Sequence, residues 1–201
     1  MINTIQNIRE SLQRQFNVKL GIPVEHREEL SPCGRYQLDI DEFATTEDPT
    51  SSDLVVAVIR LRETNEIIAR LMRNDSRLFF AWITSNHHDY LLFPEDLEGQ
   101  SIVDLTERRI EGFAEQDGGF IWTEFHPSPN NDKLAIIGCY WACPYQAVVY
   151  DFRDPMSLPL PVIAEFDLPG NNAQFETWTS NESFTMIDSQ GVSHVFEIPQ
   201  E

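Results

Sequence analysis

The spacing of short apolar runs is the feature that most limits what this chain can fold into. Beyond residue 22, apolar or alternating runs recur roughly every eight to twelve positions. They are separated by clusters of turn-forming residues such as SPCG, PTSSD, TSNHHD and SPNND. No helical period persists after residue 21. Because regularly spaced short strands are typical of all-β proteins, the pattern predicts an all-β fold of roughly fifteen strands.

The sequence also contains an internal repeat. Residues 82–93 (WITSNHHDYLLF) and 178–187 (WTSNESFTMI) share a tryptophan, a Thr-Ser-Asn turn and an apolar strand. Residues 122–137 have the same order with a longer turn, and residues 30–40 supply a copy without the tryptophan. Internal similarity of this kind indicates a repeat architecture, in which the matching tryptophans at 82, 122 and 178 are expected to pack in the core.

This order of strand, turn, apolar strand, loop and further strand resembles a blade of a WD40-like or periplasmic-type β-propeller, although no Gly-His…Trp-Asp pair is present. The resemblance implies a small propeller-like array of about four antiparallel blades at 22–73, 77–114, 118–167 and 173–199. A strand at 17–20 could complete the last blade and close the ring. A β-sandwich or irregular barrel remains the alternative at this point.

The first residues follow a different pattern. Apolar residues recur at three- and four-residue steps and form one stripe, namely Ile2, Ile5, Ile8, Leu12 and Phe16. This period predicts an N-terminal helix over 1–16, followed by a single β-propeller-like domain over 17–201.

The charge balance limits the partners. The chain has 14 Lys and Arg against 33 Asp and Glu, giving a net charge of −19 at pH 7. Such a field repels nucleic acid and anionic membrane surfaces and attracts a protein with a basic surface. The start of the sequence lacks the pattern of a signal peptide, and no apolar run reaches the length of a membrane span. We therefore expect a cytoplasmic protein that binds neither nucleic acid nor membrane directly.

The cysteines and histidines are the candidates for chemistry. Cys139 and Cys143 form a single C-x₃-C pair, and Cys33 lies far from it in sequence. A structural zinc site needs four ligands, most often two short-spaced pairs, so we expect no metal and no cofactor. The stretch GCYWACPY, followed by YDF and DP, is similar to a group of bacterial proteins, and that resemblance implies no activity.

The histidines leave an enzymatic alternative open. His87 and His88 belong to a turn cluster and His126 precedes a proline, so turns explain all three. No G-x-S-x-G motif or phosphate-binding glycine loop occurs. The alternative is a hydrolase or metal-assisted enzyme that uses these histidines or the cysteines.

In a propeller, the loops that join the second and third strands of each blade emerge on one face. These loops carry aromatic residues at Tyr140, Trp141 and Tyr145, and acidic residues at Glu47, Asp48, Glu95, Asp96 and Glu98. Aromatic anchors inside an acidic rim are typical of a protein-binding surface. The leading hypothesis is a non-enzymatic interaction module, such as a scaffold, inhibitor or immunity-type protein, that captures a basic partner. An acidic mimic of DNA is a further alternative.

Overall fold

The computed structural model describes residues 4–18, 22–44, 54–73, 78–95, 99–114, 119–141, 144–170 and 172–199. These residues form one helix, α1 (Thr4–Val18), and fifteen strands: β1 (Ile22–Leu30), β2 (Tyr36–Ala44), β3 (Leu54–Leu61), β4 (Glu66–Arg73), β5 (Ala81–Ser85), β6 (His88–Glu95), β7 (Gly99–Asp104), β8 (Arg109–Ala114), β9 (Phe120–Pro127), β10 (Lys133–Tyr140), β11 (Tyr145–Asp151), β12 (Val162–Asp167), β13 (Gln174–Ser180), β14 (Ser183–Ile187) and β15 (Ser193–Glu197).

The strands form four separate antiparallel sheets, each built from strands that follow one another in the chain. Blade 1 contains β1–β4, blade 2 contains β5–β8, blade 3 contains β9–β12, and blade 4 contains β13–β15. The prediction of an all-β, propeller-like array of four antiparallel blades is therefore confirmed. A sandwich would require two stacked sheets, so the four small sheets exclude that alternative.

Neighbouring blades pack face to face through three apolar clusters. The first joins blades 1 and 2, the second joins blades 2 and 3, and the third joins blades 3 and 4. One tryptophan of the repeat belongs to each cluster: Trp82 packs against the first, Trp122 is buried in the second, and Trp178 packs against the third. The internal repeat thus reflects one large aromatic residue at each blade interface.

The cluster between blades 3 and 4 is built from aromatic rings around Phe184. The Phe184 ring is fully buried, and its centroid lies 5.2–5.7 Å from those of four neighbours: Phe166, Phe175, Trp178 and Phe196. Edge-to-face and offset pairs at this spacing are favourable beyond the area that they bury. Blade 4 has three strands among the described residues, so this ring cluster supplies much of the contact that fixes it to blade 3.

The two ends of the array differ in character. The turns between the first two strands of each blade lie at one end, which we call the turn end, and polar bonds link neighbouring blades there. Ser85 Oγ donates to the Asn131 carbonyl at 2.9 Å, and Asn181 Nδ2 donates to Asp132 Oδ1 at 2.9 Å. Because the strands are antiparallel, the loops between second and third strands lie at the opposite end, the loop end.

The helix differs from its prediction at its C-terminal end. α1 continues to Val18, so Asn17 and Val18 are helical and the predicted closing strand at 17–20 is wrong for these two residues; residues 19–20 lie outside the described ranges. Ile5 and Leu12 are buried, as the apolar stripe predicts, and α1 contacts β4 and β8. In the described part of the chain, no helix is both long and apolar enough to cross a membrane.

Phe184 tests the dependence of blade 4 on its aromatic cluster. Replacing Phe184 with Ala should lower the free energy of unfolding by about 3–5 kcal/mol, because a ring-sized cavity opens among packed side chains. Val195 is the matched control in the adjacent strand, since its side chain is 64% exposed. Val195→Ala should change stability by less than about 0.5 kcal/mol. Urea denaturation of both variants is the measurement, and equal losses would contradict the packing.

Candidate functional site

Trp141 is the most exposed aromatic residue that the structure describes. It directly follows β10, its side chain is 68% exposed, and its backbone has a φ of 38°. This left-handed conformation is uncommon for a bulky residue and costs on the order of 1–3 kcal/mol. Burial of the indole does not offset that cost. The fold therefore holds Trp141 in a strained backbone conformation that presents its ring to solvent.

Two tyrosines and two carboxylates lie on blade 3 near the same end as Trp141. Tyr140 and Tyr145 are each 40% exposed, at the end of β10 and the start of β11. Tyr140 Oη donates to Glu165 Oε1 at 3.0 Å, and Gln146, next to Tyr145, donates to Asp167 Oδ1 at 2.9 Å. We call Tyr140, Trp141, Tyr145, Glu165 and Asp167 the aromatic surface. It combines exposed rings with negative charge, which suits a cationic group.

Gly138 explains how β10 reaches this position. A Cβ atom on Gly138 would lie 2.0 Å from the carbonyl oxygen of Ile121 and 2.8 Å from the Phe120 ring. The ladder between β9 and β10 also shifts register between Ile137 and Gly138. The Phe120 ring in turn lies 5.0 Å from the Tyr140 ring, centroid to centroid. The glycine thus permits the close strand contact that supports Tyr140.

The structure brings together only part of the predicted site. Tyr140 and Trp141 lie at the C-terminal end of β10, and Tyr145 begins β11 at the same end of blade 3. Of the five predicted acidic residues, four lie outside the described residues: Glu47, Asp48, Asp96 and Glu98. Glu95 ends β6, and its side chain is not among those described. Glu165, which accepts from the Tyr140 hydroxyl, and Asp167, which accepts from Gln146, were missed, because β12 precedes a loop that the sequence analysis did not assign to this face.

The cysteines do not form one group in the described part of the chain. Cys139 is buried in β10 near the loop end, whereas Cys33 is exposed in the turn after β1 at the turn end, and both are free thiols. Cys143 lies outside the described residues. Among the described side chains, no group of three or more His, Cys, Asp or Glu residues is arranged to hold a metal ion.

The candidate histidines take part in turns and blade contacts. His87 occupies a two-residue hairpin turn with a φ of 65°, as the sequence predicts. His88 Nδ1 lies 2.8 Å from Asp104 Oδ2, and the other oxygen of Asp104 accepts from two backbone N–H groups of the following turn. The His126 ring stacks at 3.9 Å on Phe175 of blade 4. Among the described residues, neither His88 nor His126 is hydrogen-bonded to a Ser, Thr or Cys side chain; their partners are the carboxylates of Asp104 and Glu124.

A polar cluster between blades 1 and 2 was not anticipated from the sequence. Asp89, whose side chain is only 8% exposed, forms an ion pair with Arg35 and accepts a hydrogen bond from Thr84 Oγ1 at 2.8 Å. Cys33 Sγ lies 3.8 Å from the same carboxylate. The sequence did contain one signal for this cluster, because Asp89 directly precedes the apolar residues of β6. A carboxylate that is buried in a strand needs a hydrogen-bonding or charged partner.

The cluster also alters the Cys33 thiol. Partial burial raises the pKa of Cys33, but hydrogen bonds from the Ser31 hydroxyl and from the backbone and guanidinium of Arg35 outweigh it. The pKa of this thiol is therefore lower than usual, although the negative charge of Asp89 opposes the shift. A lowered pKa enlarges the thiolate fraction at neutral pH and makes Cys33 the more reactive of the two described cysteines.

Comparison with known proteins supports the fold more than a function. No family model matches the chain. Uncharacterized protein R762 of Acanthamoeba polyphaga mimivirus is 26% identical over 133 residues, which are 64% of this chain and 51% of that protein. The chain therefore spans about half the length of this relative. The match concerns a viral protein, so the expected bacterial resemblance of the GCYWACPY stretch stays a prediction.

Solved structures with similar folds share little sequence with the chain. The β-propeller domain of Swd1 from Myceliophteria thermophila is 12% identical, with a TM-score of 0.47 over 85% of this chain and 68% of that one. An oligogalacturonate lyase in complex with manganese is 10% identical, with a TM-score of 0.50 over 86% of this chain and 54% of that one. At such identities the likeness concerns the fold alone.

Gly138 offers a test of the support beneath the aromatic surface. Gly138→Ala should lower the free energy of unfolding by about 2 kcal/mol or more, because a backbone carbonyl cannot move aside as a flexible side chain can. The control is Gly191→Ala, at a positive φ of 80° but with no atom within 4 Å of an added Cβ. Thermal and urea unfolding measure both. A loss in Gly138→Ala no larger than in Gly191→Ala would contradict the close contact.

The pH dependence of alkylation tests the Cys33 environment. Because the pKa of Cys33 is lowered, its thiolate forms at lower pH, and its rate of modification by iodoacetamide should rise at lower pH than that of a free cysteine. Arg35→Gln removes a group that stabilises the thiolate and should move the profile to higher pH. Peptide mass spectrometry follows Cys33 separately, with buried Cys139 as the slow internal control. An unchanged profile in Arg35→Gln would contradict the assigned cause.

Proposed function

We propose that this chain is a non-enzymatic protein-interaction module that captures a partner with a basic surface through the aromatic surface. The exposed indole of Trp141, held in a left-handed backbone conformation beside two tyrosines, carries the proposal. Rigid aromatic anchors dominate binding energy in protein interfaces, and a fixed backbone lowers the entropy lost on association.

The charge near the rings favours a cationic partner group. Glu165 and Asp167 present carboxylates beside the rings, and the chain as a whole carries a charge of −19. A lysine or arginine of the partner could lie over an aromatic face while pairing with a neighbouring carboxylate. The same charge disfavours direct contact with nucleic acid or an anionic membrane. We place the module in the cytoplasm, in keeping with the free thiols of Cys33 and Cys139.

Trp141 is the residue whose removal tests this function. The partner is first captured from the native organism and purified. Trp141→Ala in this chain should then weaken binding of that partner by about 30-fold, equivalent to about 2 kcal/mol. The double variant Glu165→Gln, Asp167→Asn should mainly slow association and flatten its salt dependence, because exposed charges steer encounter. Surface plasmon resonance at low and high salt measures both effects, with melting curves as a check on folding.

Val195→Ala is the matched control, because it truncates an exposed apolar residue on blade 4 and leaves the aromatic surface intact. Its affinity for the partner should equal that of the unmodified chain. Partner binding that survives Trp141→Ala unchanged would overturn the proposal. Displacement of the partner by double-stranded DNA, with the same dependence on Glu165 and Asp167, would instead identify the chain as an acidic mimic of DNA.

A further inference from the structure

A cavity lies beneath α1, where the helix covers the outer strands of blades 1 and 2. Its volume is about 250 Å³, and we call it the helix cavity. Its walls are mostly apolar and come from α1, blade 1 and blade 2. The apolar lining residues are Leu12, Val56, Leu71, Met72, Phe93 and Ile110. Three of these residues are buried, namely Leu12, Leu71 and Phe93, and they form an apolar inner wall.

The polar residues of the helix cavity are basic or neutral. Arg9, Gln13 and Arg70 line it, and none of its described lining residues is acidic. This composition is unusual for a chain in which 33 acidic residues outnumber 14 basic ones. Arg9 is half-buried and its Nη2 donates to Ser101 Oγ at 3.3 Å, whereas Arg70 is exposed.

Two described acidic residues on the elements that border the helix cavity are bonded to other groups. On α1, Glu10 accepts a hydrogen bond from Gln6 at 3.0 Å. On β8, Glu111 pairs with Arg109 at 3.3 Å. None of the ion pairs recorded among the described residues involves Arg70. The positive charge at this position is therefore available to a ligand.

We propose that the helix cavity binds a small amphipathic carboxylate, with its apolar body against the buried wall and its carboxylate towards Arg70. Arginine suits this role because its guanidinium matches a carboxylate in two parallel hydrogen bonds. An apolar cavity of about 150 Å³ holds benzene. A cavity of about 250 Å³ thus has room for one ring and a short acid chain. This site is separate from the aromatic surface and does not depend on the proposed function.

The probe is 3-phenylpropanoate, compared with its uncharged amide and with 3-phenylpropylamine. We expect saturable one-to-one binding of the acid by calorimetry, with a dissociation constant of about 1 mM or tighter. The amide should bind about tenfold more weakly, and the amine should not bind, because only the acid pairs with guanidinium groups. The acid should also raise the melting temperature, as any ligand selective for the folded chain does.

The chain contains its own reporters for the position of binding. Met72 lines the helix cavity, whereas Met156 packs near the cluster between blades 2 and 3 and Met186 belongs to that between blades 3 and 4. With ¹³C-methyl methionine, the Met72 resonance, assigned through Met72→Leu, should shift on titration with 3-phenylpropanoate. The resonances of Met156 and Met186 should stay fixed.

Arg70→Gln should weaken binding of the acid by about tenfold and leave the fold intact, because Arg70 is exposed. Arg109→Gln is the matched control, with the same loss of charge outside the cavity lining, and should change affinity by less than about twofold. The proposal is overturned if binding of the acid does not saturate at a concentration about ten times the expected dissociation constant, or if the amide binds equally well. It is also overturned if Arg70→Gln binds the acid with unchanged affinity, or if the Met72 resonance does not shift.

Discussion

The array depends on the burial of each sheet face by the next sheet along the chain. Strand β10 shows this most directly, since its neighbouring residues serve opposite interfaces. Leu134 and Ile136 belong to the cluster with blade 2, whereas Ala135 and Ile137 belong to the cluster with blade 4. Because side chains alternate between the two faces of a strand, a shift of one residue would exchange the two sets. The requirement to fill both interfaces therefore fixes the register of the central blade.

The packing of β10 on both faces also positions the backbone of the aromatic surface. Trp141 directly follows β10, whose buried residues are held on both faces, and Gly138 lets the strand approach β9 closely just before the loop. The backbone that leads to Trp141 is thus positioned by the core, while the ring itself lies in solvent. A binding residue at the end of a packed strand loses less conformational freedom on association than one in the middle of a long loop. The core packing and the proposed function are linked through this strand.

The sequence predicts the blades because their cause is local and periodic. Alternation and turn clusters mark each strand, and Asn86 and His87 adopt the left-handed turn that a tight hairpin requires. Features that depend on distant residues could not be predicted in this way. The pairing of Asp89 with Arg35 joins two blades, so no local pattern reveals it. The left-handed φ of Trp141 runs against the preference of its residue type, so the residue itself gives no signal of it.

Part of the acidity of the chain has a structural cause. Strand β1 pairs with β2 on one side only, and it exposes apolar residues at Ile22, Val24 and Leu30. Among the described residues, no apolar cluster joins blade 4 to blade 1 and covers this strand. An exposed edge of this kind would pair with other chains, and charged residues such as Glu28 oppose that pairing. Negative charge on such an edge carries no information about a partner. Glu165 and Asp167 also lie on an edge strand, because β12 pairs only with β11, so edge protection accounts for their charge as well. Edge protection does not account for the exposed indole of Trp141 or for its left-handed backbone, so the proposed function rests on the ring rather than on the net charge.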